Sequence, residues 1–489
     1  MRLCSVYLMC ALNSEQDCAP LYDAVKCYAR SDVARFHMPG HKGKPISDDA
    51  ESLASLMWQM DVTELDGTDN LHMPEGAIKK AQSLMAQAYG AKRSFFMVNG
   101  ATAGIYTMLM AACRPGDTVI IGRNCHKSVI NGLVIAGLNP VYVWPDTLEK
   151  WHTAGQVETG GIEKALDEHR DAKAVLITSP DYYGLCADVA AIADICHRRG
   201  VPLLVDEAHG AHLVFSKALP PDAGSCGADA WVDSMHKTLP SLTQTAVLNV
   251  NSDLLDIGEV KSAEQLVQTT SPSYILMASM DIARRYMATN GNCKLSELLG
   301  YIDDMVEWAG NIEGLRMMTS DDVVGDCGVA YKDATRVCFD VSARGISGIE
   351  AGAIMREHGV QVEMADLYNI VLITTVADDA DDFEAVKKAV AMLPKLSNAG
   401  LPAFNKVLPH AKQAMSPREA VFAHKEYVPI DRARGRIAAQ SIGIYPPGIP
   451  LICPGEVISG EITDMLDTIL AQGGRVFNIG RDTTITVIN

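Results

Sequence analysis

The sequence predicts an α/β protein with a mostly parallel central sheet sandwiched by helices. Between about residues 94 and 250, short β-rich runs alternate with segments of helical periodicity, such as 189–198 with its apolar Val189, Ile192 and Ile195. Strands separated by helices pair in parallel, and both faces of such a sheet are buried. The predicted strands are 94–99, 118–122, 140–144, 174–178, 203–205, 231–233 and 246–250.

Beyond residue 250 the pattern changes. Residues 251–300 are predicted to be mainly helical, and 301–395 mix strand-like runs (336–341 and 369–374) with a helix over 382–392. A Pro/Gly-containing linker is expected at 393–402, followed by a dense turn at 445–450 and a helix over 462–471. We therefore expect an N-terminal segment (1–45), a large ligand-binding domain (46–300), a small α+β domain (301–395) and a C-terminal domain (396–489).

The composition is that of a globular protein rather than a disordered one. The chain has 489 residues, of which 48% are hydrophobic and 21% charged. Its 42 basic and 60 acidic residues give a net charge of −18, and no long Lys/Arg cluster is present. Such a chain is a poor ligand for nucleic-acid phosphates, so no nucleic-acid partner is predicted.

The cysteines indicate a reducing compartment. There are 13, without a CxxC pair, scattered among apolar stretches. No apolar run approaches the roughly 20 residues of a membrane span, so no membrane association is predicted. The opening MRLCSVYLMCALN is expected to be a strand or docking segment of a cytoplasmic protein, because its apolar run breaks early and no cleavage site follows. No metal site is predicted.

Ligands of parallel sheets bind at the carboxyl ends of the strands, so the residues that follow each strand are candidates for the ligand-binding site. After 94–99, Gly100, Ala101 and Thr102 open a helix. Small residues at a helix N-terminus hold a phosphate well, although an ordinary tight turn has the same composition. After 118–122 comes His126, which is suited to stacking on a flat ligand but is equally typical of a loop.

Two further strands end in charged residues. Asp206 follows the apolar run 203–205, where a buried acid needs a metal, an arginine or a protonated ring nitrogen, unless it caps a helix. Lys237 closes Ser234-Met235-His236-Lys237 after 231–233. A desolvated lysine there forms a Schiff base with an aldehyde, whereas the alternative is a surface lysine. Together, the phosphate cup, stacking histidine, buried acid and lysine predict pyridoxal phosphate (PLP).

The sequence also resembles the bacterial ornithine/lysine/arginine decarboxylases, which have the aspartate aminotransferase-like fold of PLP fold type I. The first and last of the matching segments are not general to fold type I, and the matches run from about residue 17 to residue 460. Only about 30 residues precede the first segment, so the resemblance is to the compact form without an N-terminal wing domain. The segments are FHMPGHKG (36–43), ELDGTDNLH (64–72), NGAT (99–102), RNCHKS (123–128), DEAHG (206–210), SMHK (234–237), TSPSY (270–274), YPPGIP (445–450) and PGE (454–456).

The resemblance implies a role for each matching residue. Lys237 binds the aldehyde carbon of PLP covalently, Asp206 pairs with the ring nitrogen, His126 stacks on the ring and His209 lies beside it. Thr270 or Ser271 reaches the phosphate across a subunit interface, which implies a homodimer or higher homo-oligomer with a shared active site. Ala101 stands where relatives often carry a hydroxyl. The phosphate is held by Gly100, Ala101, Thr102, Ser234 and His236.

The implied activity is α-decarboxylation of a basic amino acid, with arginine favoured over lysine and lysine over ornithine. The substrate cation needs an acid, for which Glu456 and the loop acids from Asp66 to Asp69 are candidates, with surface solvation as the alternative. Lys237 and His209 are both candidates to protonate Cα. The alternatives are a fold type I aminotransferase or lyase, with Arg336 or Arg344 clamping the α-carboxylate, and a catalytically silent regulatory relative.

Overall fold

The computed structural model describes residues 20–396, 401, 408–444, 448–480 and 482–489. The expected N-terminal strand or docking segment lies outside these residues, as do parts of the expected linker and of the turn at 445–450. No helix in the described ranges combines the length and the apolar character that a bilayer crossing requires.

The described chain contains both helices and strands throughout its length. The helices are α1 (Pro20–Ala29), α2 (Asp48–Ser55), α3 (Met57–Met60), α4 (Ala77–Ala88), α5 (Gly100–Ala112), α6 (Lys127–Ala136), α7 (Thr159–Glu168), α8 (Val189–His197), α9 (Met235–Thr238), α10 (Ile257–Val267), α11 (Tyr274–Gly310), α12 (Ser320–Val323), α13 (Gly348–Glu357), α14 (Ala380–Ala391), α15 (Pro417–Phe422) and α16 (Gly460–Ala471). The strands are β1 (Ala34–Phe36), β2 (Arg93–Met97), β3 (Thr118–Gly122), β4 (Asn139–Val143), β5 (Thr147–Leu148), β6 (Thr153–Ala154), β7 (Ala174–Thr178), β8 (Leu185–Cys186), β9 (Leu203–Asp206), β10 (Ala230–Asp233), β11 (Ala246–Val250), β12 (Arg316–Met317), β13 (Tyr331–Lys332), β14 (Arg336–Asp340), β15 (Val360–Val362), β16 (Met364–Ala365), β17 (Asn369–Ile373), β18 (Lys425–Pro429), β19 (Ile442–Ile444), β20 (Pro450–Ile452), β21 (Val476–Phe477) and β22 (Thr484–Ile488).

The central sheet has seven strands in the order β2-β11-β10-β9-β7-β3-β4. Strand β11 runs antiparallel to both of its neighbours, and the other adjacent pairs are parallel. The predicted fold class is therefore confirmed, and each of the seven predicted strands is present within two residues of its expected ends. Only the four-residue helix α9 separates β10 from the antiparallel strand β11, and this connection is shorter than those that join the parallel strands.

Both faces of the sheet are buried, as the continuous apolar runs predicted. Ile120 and Ile177 point into the core beneath α7, α8 and α11, while Val119, Ile121 and Leu176 point into a second core beneath α5, α6 and α10. This period of two follows from the pleat of a strand. The sheet is thereby fixed between two helical layers, and the strand ends stay at one edge.

The remaining elements form smaller sheets. Strands β12, β14, β17 and β16 make an antiparallel sheet that packs with α13 and α14, and the N-terminal strand β1 pairs with β15 beside it. The 37-residue helix α11 leads from the large part of the chain to this sheet. Farther on, β18 pairs with β22, and β19 joins β20 and β21 beside α16. The expected domain boundaries stay a prediction.

Candidate active site

Lys237 is the centre of a buried polar cluster at the carboxyl edge of the central sheet. It lies in the short helix α9, directly after β10, and its Nζ is 3.0 Å from Nε2 of His209. Burial lowers the pKa of Lys237, and the negative charges of Asp206 and Glu363 oppose that effect. Lys237 is therefore not the surface lysine of the alternative interpretation. A desolvated amine with a lowered pKa is the form that attacks an aldehyde.

Asp206 is the last residue of β9 and is 3% exposed. It pairs in the sheet with Thr178 on one side and Val232 on the other, and the turn that follows is not a helix, so it does not cap one. Burial raises its pKa, while the charge of Lys237 and a hydrogen bond from the Ala208 N–H lower it. A buried carboxylate of this kind is stabilised by a protonated ring nitrogen.

Two neutral histidines lie near Lys237. His126 begins α6, where its Nδ1 accepts a hydrogen bond from the Ser128 N–H. Burial and the positive charges of Lys237 and Lys127 lower the pKa of His126 to about 3. Burial also lowers the pKa of His209 well below its usual range, again with help from Lys237. Both rings are uncharged at neutral pH, which suits them to contact with an aromatic cofactor.

His209 carries an unused hydrogen-bonding atom. Its Nε2 lies 3.0 Å from the Lys237 amine, so one of its two ring nitrogens is engaged in a hydrogen bond. Among the described residues, the other ring nitrogen, Nδ1, is buried without a hydrogen-bond partner. A buried unpaired polar atom costs free energy, and a polar group of a bound ligand removes that cost.

The predicted phosphate cradle lies at the same edge. Gly100 begins α5 with a φ of +76°, a conformation that favours glycine, and the first N–H groups of a helix have no acceptor within it. The His236 Nδ1 lies 3.1 Å from the Thr245 carbonyl oxygen and 3.2 Å from Ser234 Oγ. Because the carbonyl can only accept, His236 donates, and the Ser234 hydroxyl keeps its own hydrogen for another acceptor. Thr102 is exposed at the start of α5, next to Ala101.

The chain does not bring Ser271 to this cluster. Thr270 and Ser271 are exposed, and the Ser271 N–H donates to Thr269 Oγ1 at 3.2 Å. The same segment is tied to the 64–72 motif, because His72 Nε2 donates to the Thr269 carbonyl at 2.9 Å. A role for Ser271 across a subunit interface therefore stays a prediction.

Glu456 lies in a buried ion pair and not in the cleft. It is 0% exposed, and Arg123 contacts both of its oxygens, with Nε at 3.3 Å and Nη2 at 3.0 Å. The Cys453 N–H adds a third bond at 2.7 Å. This geometry gives no support to the expectation that Glu456 binds a substrate cation, since its charge is already neutralised. The pair instead joins the loop after β3 to the C-terminal part of the chain.

Asp69 likewise has a local structural role. It accepts hydrogen bonds from the backbone N–H groups of Asn70, Glu75, Gly76, Ile78 and Lys79, which include the first residues of α4. Although burial acts to raise the pKa of Asp69, these N–H groups lower it to about 2. The expectation that Asp69 binds a substrate cation also gains no support, because its lone pairs are occupied.

Three residues near the cluster were missed or left open by sequence reasoning. Tyr182 lies in the loop after β7, and the centre of its ring is 4.6 Å from that of His209. Because ligands bind where parallel strands end, its position in the sequence already made it a candidate. Glu363 lies between β15 and β16 in the small sheet, so a search at the ends of the central strands does not find it. Arg336 is fully buried and donates to the His209 carbonyl at 2.9 Å, whereas Arg344 binds the carbonyls of residues 313, 393 and 394. Of the two arginines considered, the structure brings only Arg336 to the site.

These groups fit PLP in kind and in arrangement. They include a desolvated lysine, a buried acid, an unpaired ring nitrogen of His209 and a helix N-terminus that begins with glycine, all at one sheet edge. The fold and the site thus define a PLP enzyme of fold type I.

Comparison with known proteins identifies the family. The model of the Orn/Lys/Arg decarboxylase major domain matches residues 19–326, and that of the C-terminal domain matches residues 401–474. The chain belongs to the Orn/Lys/Arg decarboxylase family and is a PLP-dependent amino-acid decarboxylase. The family, fold type, enzyme class and cofactor expected from the sequence are therefore confirmed.

Individual relatives agree with this assignment. An arginine decarboxylase of Halalkalibacterium halodurans is 37% identical over 457 residues, covering 91% of this chain and 92% of the relative. An arginine decarboxylase of Bacillus subtilis is 36% identical over 450 residues, covering 90% and 91%. The crystal structure of a Francisella novicida lysine decarboxylase superposes with a TM-score of 0.75 at 19% identity, covering 96% of this chain and 81% of that one, and this likeness shows the shared fold.

Proposed function

We propose that this enzyme releases the α-carboxyl group of arginine as CO₂ and leaves the corresponding amine. The observation that carries the proposal is the half-buried Lys237 amine, 3.0 Å from His209 at the edge where Asp206 ends its strand. The choice of arginine rests on the relatives at 36–37% identity, which are named arginine decarboxylases. Lysine and ornithine are the second and third candidates.

Each residue predicted to bind the cofactor has a place in this proposal. Lys237 binds PLP covalently, Asp206 keeps the ring nitrogen protonated, His126 packs on the ring and His209 lies beside it. PLP supplies the electron sink for the bond that breaks. The phosphate is held by Gly100, Ala101, Thr102, Ser234 and His236, with Ser271 contributed by a second subunit.

The proposal assigns the proton chemistry to two side chains. Decarboxylation replaces the carboxylate on Cα by a hydrogen, so the site must deliver one proton for each CO₂ released. The lowered pKa of Lys237 makes its ammonium form a better acid than an ordinary lysine. His209 forms a hydrogen bond with that amine and holds it in place. We assign proton delivery to Lys237, with His209 as its positioning residue.

We also propose a cytoplasmic homodimer. Large apolar side chains are exposed on α3, in or just after the 64–72 loop and on α10, and they include Trp58 (89% exposed), Leu65 (55%), Met73 (70%) and Leu266 (73%). A surface of this kind favours burial against a second copy. The cysteines that the structure describes are free thiols, which agrees with a reducing compartment.

The test is CO₂ release by the PLP-loaded protein from arginine, lysine and ornithine in parallel. We expect turnover with arginine to exceed that with the other two in kcat/KM. Greater turnover with lysine or ornithine would refute the substrate assignment. Visible absorbance of bound PLP without CO₂ from any of the three would favour the silent regulatory alternative.

A further inference from the structure

Glu363 places a carboxylate in the cleft between the small sheet and the central sheet. It lies between β15 and β16 and is half-buried. Its Oε2 accepts a hydrogen bond from the Met38 N–H at 2.9 Å, and its Oε1 accepts one from the Tyr182 hydroxyl. Because Tyr182 packs on His209, which contacts Lys237, Glu363 is held at the edge of the reactive cluster.

The charge of Glu363 acts on the groups around it. It favours the protonated forms of Lys237, His236 and Lys42, and it does the same for Arg336. The direction of these effects agrees with the geometry, in which Tyr182 joins Glu363 to His209 and His209 joins Lys237. The carboxylate therefore lies at the edge of the cluster where the substrate reacts.

Glu363 also retains unused acceptor capacity. A carboxylate has about four acceptor positions, and two of those on Glu363 are taken by Met38 and Tyr182. Within the described part of the chain it forms no salt bridge, whereas Glu456 is neutralised by Arg123. Asp69 is saturated by backbone N–H groups, and Asp206 is assigned to the cofactor.

We propose that the Glu363 carboxylate binds the cationic end of the substrate side chain, with Tyr182 and the Met38 N–H holding it in position. This inference rests on the proposed function, because it assumes a basic amino acid. A guanidinium or ammonium group leaving water needs a fixed opposite charge, and a carboxylate with one open position on each oxygen receives a planar guanidinium in two bonds.

The decisive comparison is between arginine and citrulline, which has nearly the same shape but no charge. Hydrogen bonds to charged groups are worth about 1.5–3 kcal/mol, which corresponds to a factor of roughly 10–150 in binding. In Glu363→Gln, we expect the KM for arginine to rise by about that factor. The inhibition constant of citrulline should change by less than about threefold. An equal change for both compounds, or a fall in kcat at unchanged KM, would overturn the inference.

Three further variants make the test specific. Tyr182→Phe removes one hydrogen bond but keeps the charge, so the arginine KM should rise less than in Glu363→Gln, and an equal rise contradicts charge recognition. Glu363→Asp keeps the charge and should retain more of the arginine-over-citrulline preference than Gln does. If Glu363→Gln impairs folding, the Glu363→Asp variant alone tests the proposal. Loss of the arginine-over-citrulline preference in Glu363→Asp refutes it. Glu357→Gln, on the exposed end of α13, is the matched control and should leave both constants unchanged.

A binding measurement separates this inference from the proposed function. Titration of the PLP-loaded protein with each amino acid, followed by the visible absorbance of the cofactor, gives dissociation constants without turnover. If no CO₂ is released but Glu363→Gln still weakens only the cationic ligands, the proposed function fails and the recognition role stands. If wild-type turnover is normal and the Glu363→Gln variant keeps the wild-type preference for cationic ligands, the recognition role fails while the proposed function stands.

Discussion

Replacement of Glu456 by Gln distinguishes a structural role of this residue from a role in substrate binding. In the structure, this carboxylate is 0% exposed and receives two contacts from Arg123 and one from the Cys453 N–H. Arg123 itself is fully buried, with Nη1 bonded to the Pro450 carbonyl at 2.7 Å and its guanidinium 4.8 Å from the Trp144 ring. The Gln variant leaves this guanidinium buried without its counter-ion. Removal of one partner of a buried ion pair costs about 3–5 kcal/mol of unfolding free energy.

Urea unfolding followed by circular dichroism measures this cost. We expect a lowered midpoint for Glu456→Gln, and an arginine KM within about twofold of wild type for the folded enzyme. Glu461→Gln, at the exposed start of α16, is the matched control and should change neither quantity. Adding Arg123→Met to Glu456→Gln should recover part of the lost stability, because no unpaired charge then remains buried. Unchanged stability together with a raised KM would show that Glu456 binds the substrate and that the structural reasoning is wrong.

The remaining predictions concern the reactive cluster and its support. Lys237→Ala should abolish CO₂ release, and borohydride reduction should no longer attach PLP covalently to the protein. Full activity in this variant would refute the covalent role. Asp206→Asn should still bind PLP, which the visible absorbance of the cofactor would show. Its kcat should fall by several orders of magnitude, because an amide does not keep the ring nitrogen protonated. A near-normal kcat would contradict this role of Asp206. The pKa of His126 falls from 6.5 to about 3 on folding, so the unfolded chain binds more protons between these values and stability falls as the pH drops through them. Between pH 6 and 4, the unfolding free energy of the apoprotein should fall more steeply than that of His126→Asn, by up to about 1.4 kcal/mol per pH unit; parallel slopes in urea titrations would argue against a buried neutral His126.

Local patterns predicted the residues that follow central strands. Asp206 comes directly after an apolar run and Lys237 comes four residues after the end of β10, and parallel strands bring their ends to one edge whatever the loops contain. Tyr182 obeys the same rule after β7 and was identifiable on that basis.

Residues whose partners are distant in sequence were not predictable in this way. Glu456 and Arg123 are 333 positions apart, and nothing near either residue reveals that they meet. From the sequence, Glu456 is therefore a candidate to bind the substrate cation or a solvated surface residue, and its ion pair with Arg123 is not predicted. Glu363 belongs to the small sheet, whose position over the central sheet depends on packing between domains and not on the periodicity of either one.

The contact between Met38 and Glu363 is made by a main-chain N–H, and so is the neighbouring bond from the Gly40 N–H to the His236 carbonyl at 2.7 Å. Side-chain replacement at position 38 leaves such a donor in place, whereas a shift in the path of the chain removes it. An amino-acid substitution at position 38 is consequently tolerated more readily than an insertion or deletion nearby. A library built to alter amino-acid preference is thus better directed at Glu363 and Tyr182, with the length of the 37–43 segment held constant.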